Sequence, residues 1–159
     1  MRAAALAAGA VAWTAAVLLA PFALSSHLAV PTAAAAVLYD AAGLICHQRP
    51  ERSFHLAGVQ LPVCARCAGL YWSAAAGALA AWLSRPRDMR ARSLRVLLGV
   101  AAIPTALTVS LELLGMASPS NAARALSALP LGAAGAWVFV SSLRADGGRN
   151  GERDRPNGL

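Results

Sequence analysis

The chain has no lysine and little charge of either sign. Of its 159 residues 13% are charged and 58% are hydrophobic. A soluble domain carries about a quarter charged residues. A surface this poor in charge cannot be held in water, so the class is integral membrane protein. Aromatics are scarce too, at 6%, and none interleaves with the arginines. That excludes a nucleic-acid reading of the +7 net charge, because base stacking needs rings among the cations. The arginines stand instead at the ends of apolar segments, as the positive-inside rule requires. Cysteine is limited to Cys46, Cys64 and Cys67, so one disulfide and a spare thiol is the most that pairing could give.

What the chain does have is a series of apolar runs. Residues 3–24 are long enough for one crossing, since about 20 residues span a bilayer core. A signal peptide cleaved near Ser25 is the rival reading, but its apolar region would be only about 7–15 residues long. A retained anchor fits better. Its alanines at 8, 12, 16 and 20 form a stripe that would let another helix approach closely. Residues 28–45 are weaker, interrupted by Tyr39 and Asp40, and read as a short interfacial helix.

Residues 64–84, 94–114 and 122–143 supply three more spans. In the first of these Gly69, Ser73, Gly77 and Ala81 recur every four residues, the clearest helix-packing signal in the chain. Pro104 lies mid-span in the second and marks a kink point. The third carries Gly132, Gly135 and Ala136 as small packing positions. Residues 115–121 form a turn, and 144–159 a polar, disordered tail.

The expected fold is therefore an all-α membrane protein with four transmembrane helices. Residues 1–143 make one membrane domain with an extracytoplasmic loop, 25–63. Arg2, the basic loop 85–95 and the basic tail all lie on one side if both termini are cytoplasmic. The protein is then a multi-pass protein of the plasma membrane.

The residues with chemistry lie in the outer stretch 46–71. Cys64-Ala65-Arg66-Cys67 is a C-x-x-C at a helix start. In one reading its two thiolates chelate a soft metal ion, with Cys46 third and His47 fourth. Cys3His is a tetrahedral zinc set, and thiolates also suit Cu(I). Adjacent Cys46 and His47 can share an ion only if the chain leaves the helix there, which Gln48-Arg49-Pro50 favours. In another reading the pair is redox-active, with a thiol pKa lowered by the helix terminus and Arg66. Cys46 is then the exchange partner and a quinone the electron acceptor. A structural disulfide plus a free thiol is the third possibility. His55 is expected to be a solvated loop residue, and His27 to be interfacial. Arg52, Arg66, Glu112, Asn121 and Arg124 should gather around the site as a polar layer. They would suit an anionic or lipid-like ligand, because charges at membrane depth face the bundle or one another.

Several of these segments resemble a known family. Cys46-His47-Gln48, Arg52-Ser53-Phe54 and Pro62-Val63-Cys64-Ala65-Arg66-Cys67-Ala68-Gly69-Leu70-Tyr71 are similar to the prokaryotic membrane proteins grouped as domain of unknown function 2085. The likeness extends weakly to Glu112, where the family usually has Asp, and to Gly115, Asn121 and Arg124. It implies a membrane location and no particular activity.

Overall fold

A computed structural model describes residues 2–26, 28–84 and 90–153, with side chains through Ala145. His27, residues 85–89 of the basic loop and residues 154–159 of the tail lie outside the described residues. Five helices and one hairpin follow in order: α1 Arg2–Ser25, α2 Ala29–Gly43, β1 Ser53–Leu56, β2 Val59–Cys64, α3 Ala65–Leu83, α4 Ala91–Leu113 and α5 Asn121–Arg153. A single 3-10 turn at Pro50–Arg52 precedes β1. The expected interfacial stretch is helical as α2, and α4 runs unbroken through Pro104. Helix α5 continues beyond 143, the expected end of the last span, as far as Arg153.

The stretch expected as a Cys-rich loop between helices holds a β-hairpin, an element the all-α expectation did not include. Ala57 and Gly58 both have positive φ, 52° and 77°, and join β1 to β2 in a two-residue turn. Left-handed backbone at both central positions matches the twist of the flanking strands. The register slips between Ser53 and His55, opposite Pro62, which has no N–H to give to a ladder. Leu61, Pro62 and Val63 are buried against α1, while His55 faces outward as a solvated residue.

Among the described residues three helices are long and apolar enough to cross a membrane: α1, α4 and the Asn121–Ala145 part of α5. The expected fourth, α3, falls outside that group. Its Arg66, Ser73 and glycines lower its hydropathy, yet it is the most enclosed helix, packed between α1 and α5. The physical reason is its small-residue face. A Cβ on Gly69 would strike the carbonyl of Ala125, and one on Gly77 the carbonyl of Ala133. A Cβ on Gly132 would strike Ser73 and Leu70 in return. Backbone thus lies on backbone, which only glycine allows.

Polar contacts join the other helices. Thr14 donates to the Tyr71 carbonyl at 3.1 Å, tying α1 to α3. Thr105 donates to the Ser127 carbonyl at 2.8 Å, and the Thr108 and Ser127 hydroxyls are 3.1 Å apart, tying α4 to α5. Arg144 donates to the carbonyls of Ala81 and Ser84 and so caps the end of α3. Helix α4 touches little else. Ala101 is its one buried residue, and Val96, Val100, Ile103 and Leu107 are exposed along it.

Candidate metal centre and arginine cleft

Cys64 takes an extended conformation, φ −67° and ψ 160°, and is the N-cap of α3. Cys67 is then the third helical residue. That spacing lets an N-cap side chain fold toward the first turn, and the two sulfurs lie 3.5 Å apart. Cys46 reaches them from the other side of the hairpin. Its sulfur accepts the backbone N–H of Cys64 at 3.1 Å. All three sulfurs lie within 4.8 Å of one another. Tetrahedral thiolates with Zn–S near 2.3 Å have sulfurs about 3.8 Å apart, so the cluster has the right scale for one ion.

A polar clasp holds Cys46 there. The chain leaves α2 after Gly43, and Gln48 adopts a positive φ of 48°. The irregularity expected before Pro50 is therefore present. The Gln48 amide donates to the Tyr39 carbonyl at 2.7 Å and to the Pro62 carbonyl at 2.8 Å. The Gln60 amide donates to the Gln48 carbonyl at 2.6 Å, and the Tyr39 hydroxyl donates to the Gln60 carbonyl. These bonds pin α2 to β2 and set Cys46 over the C-x-x-C. Below them Val17, Ala42, Leu61, Val63 and Ala68 form the core, flanked by Trp13, Tyr71, Phe54 and Trp72. Trp13 meets Tyr71 edge-on, and Phe54 stacks on Trp72.

The Cys64 thiol has its pKa lowered to about 5. The hydrogen bond from Cys67 is the main cause, and it outweighs burial, which acts the other way. Backbone N–H donors and a helix N-terminus favour the thiolate in the same sense.

His47 is exposed and is not one of the clustered ligands. It lines a cleft of about 400 Å³ beside the sulfurs, together with Arg49, Arg52, Arg66, Arg124, Ile45 and Leu113. The expected polar layer surrounds Glu112 near the end of α4. Its Oε1 receives Arg124 at 2.9 Å and Arg52 at 3.2 Å, and its Oε2 receives Arg66 at 3.2 Å. Arg124 also donates to Asn121 at 3.0 Å, whose amide donates to the Ser53 carbonyl at 3.0 Å. One carboxylate so joins α3, α4, α5 and the turn before β1. Among the described residues the Nε groups of Arg66 and Arg124 in this layer are buried without a partner.

Sequence reasoning missed the Gln48–Gln60–Tyr39 clasp and buried Ser53, whose hydroxyl donates to the Arg49 carbonyl at 2.8 Å while its own carbonyl accepts from Asn121. Gln48 sits inside the Cys-His-Gln segment, so the motif pointed to it, but its partners come from sequence-distant elements.

The fold and this site define a membrane protein with a three-cysteine cluster at the edge of a helical bundle. Its family follows from comparison: the profile of the DUF2085 family, described as a predicted membrane protein, matches residues 46–138, and the chain belongs to that family. An uncharacterised protein of Methanothermobacter thermautotrophicus is 39% identical over 88 residues, covering 55% of this chain and 78% of that protein. An uncharacterised protein of Methanocaldococcus jannaschii is 34% identical over 88 residues, 55% of this chain and 56% of its own length. No solved structure matches the chain.

Proposed function

We propose that the protein is a multi-pass plasma-membrane protein whose three thiolates hold a zinc ion at its extracytoplasmic face. The observation that carries this is the convergence of the Cys46, Cys64 and Cys67 sulfurs within 4.8 Å. Cys46 comes from one side of the hairpin and the C-x-x-C from the other, so an ion there would fasten the hairpin to the bundle. His47, on the rim of the same cleft, is the proposed fourth ligand. A four-ligand site is closed and structural, whereas three ligands plus water leave an open position for hydrolysis. Cu(I) is the competing ion for a thiolate set.

The topology is proposed with four crossings, α3 being the enclosed one, and both termini cytoplasmic. The ends of α4 and the starts of α3 and α5 meet at Glu112, which suits helices that alternate in direction. Helix α2 buries Ala35 and Ala42 and exposes Val30 and Val37, with Leu44 exposed at its C-cap, which suits a helix lying in the outer interface.

Metal analysis with thiol counting tests the site. One zinc per chain, with three titratable thiols after denaturation, is the expected result. No metal and one free thiol would mean a disulfide. His47→Ala that keeps its zinc would make the fourth position open.

A second reading is thiol–disulfide exchange at Cys64 and Cys67, with a membrane quinone as oxidant. The lowered pKa of Cys64 favours it. Reduction of an added quinone by the dithiol protein, with loss of two thiols, would establish it.

A further inference from the structure

The geometry points to a binding site for the phosphate headgroup of an anionic lipid in the arginine-lined cleft. This rests on reading this end of the bundle as the membrane face, and not on the metal.

Charge comes first. Arg49, Arg52, Arg66 and Arg124 all line the cleft. They meet two carboxylates: Glu112, shared by three of them, and Glu51, 3.8 Å from Arg49. Three thiolates around a divalent ion would remove one more positive charge. A surplus of positive charge remains in either case. Donors are also in surplus. Each guanidinium has five N–H groups in a planar fork, and one carboxylate has two oxygens to offer three forks. Arg124 is only 8% exposed, and among the described residues its Nε is buried with no partner. Arg124 shares its carboxylate, Glu112, with two other guanidiniums, and an anion in the cleft that all three line adds the negative charge that one carboxylate cannot supply to each of them.

Depth and shape make the anion a lipid. The cleft lies where α4 ends at Leu113, α3 begins at Ala65 and α5 begins at Asn121. Helix α4 has 23 residues, which at about 1.5 Å each come to about 34 Å. Its ends therefore reach the headgroup level of a bilayer whose hydrocarbon is about 30 Å thick. One side of the rim is apolar: Leu113 is 82% exposed, and Ile45 and Leu114 are exposed as well. A free phosphate has no use for such a rim. A lipid places its phosphate among the arginines and its chains along these side chains, and bidentate guanidinium–phosphate pairs select it.

The full-length protein in maltoside micelles, examined by native mass spectrometry, tests this with three probes: dioleoyl phosphatidic acid, dioleoyl phosphatidylcholine and inorganic phosphate. Phosphatidic acid should bind about tenfold or more tightly than phosphatidylcholine, whose choline cancels the charge. Arg52→Gln and Arg49→Gln should each weaken it about tenfold. Arg49 is exposed and pairs only with exposed Glu51 among the described residues, whereas Arg52 is half-buried and pairs with Glu112; if Arg52→Gln unfolds, Arg49→Gln carries the test. Equal binding of the two lipids overturns the proposal. So does phosphatidic acid binding that neither variant alters. Inorganic phosphate that displaces the lipid at equal concentration shows a site for the free ion and overturns the lipid assignment. Zinc per chain is measured in the same samples. Zinc absent with lipid selection intact faults the metal reading alone, and zinc present without selection faults this one.

Discussion

Glu112→Gln should destabilise the protein by about 3 kcal/mol, and the loss should fall on α4. The magnitude follows from the three ion pairs. Arg52 is 40% exposed, so its pair is screened and contributes under about 1 kcal/mol. The side chains of Glu112 and Arg124 are 11% and 10% exposed. Removing one partner of a buried pair costs about 3–5 kcal/mol, because the other charge is left uncompensated. Glutamine keeps one acceptor oxygen and recovers part of that, which brings the figure to the lower end of the range. Helix α4 carries the effect because it has little else to hold it: Ala101 and the threonine bonds to Ser127. Chemical unfolding in mixed micelles measures the total, and hydrogen exchange over Ala91–Leu113 locates it. The double variant Glu112→Gln/Arg124→Gln should cost less than the sum of the singles by about 2 kcal/mol. A single variant within about 0.5 kcal/mol of the parent, or additive singles, would refute the buried-pair reasoning.

Cys46→Ser should lower bound zinc from one per chain to none, while the helical content by circular dichroism stays unchanged. Gly77→Leu drives its side chain into the Ala133 carbonyl and should separate α3 from α5, at a cost of about 3 kcal/mol or more in unfolding. In metal-free protein Cys64 should react with iodoacetamide at pH 6 nearly as fast as at pH 8, and slow sharply below about pH 5. Its folded pKa lies below the ordinary thiol value. The stability it lends is therefore present above that ordinary value and lost as pH falls toward about 5. Labelling that instead rises only above pH 8 would remove the thiolate assignment. Gln48→Ala should free Cys46 from the C-x-x-C, seen as weaker zinc retention against a chelator, since the clasp loses both amide bonds.

The membrane class was legible from composition alone, because burial in lipid is the one way to hide so much apolar surface. The helix-packing face of α3 was legible too. Gly69, Ser73 and Gly77 recur at helical spacing, and spacing along a helix is a local property. The polar layer around Glu112 could be read from cost: charges near span ends must find one another. The hairpin could not. Ala57-Gly58 lacks the Asn-Gly or Asp-Gly signature of a tight turn, and Pro62 argues against a strand until its bulge is seen. Nor could the enclosure of α3, whose low hydropathy measures what it gave up in order to pack.

By itself, then, the sequence determined that this chain belongs in a membrane, which faces its helices pack with, and which polar residues cluster near their ends. Those follow from solvation and helical periodicity, both of which act over a few residues. Only the tertiary structure decided that Cys46 sits over Cys64 and Cys67 while its neighbour His47 turns to the rim. That choice is made by Gln48, bonded to α2 and β2 at once, and such a bond has no signature in local spacing.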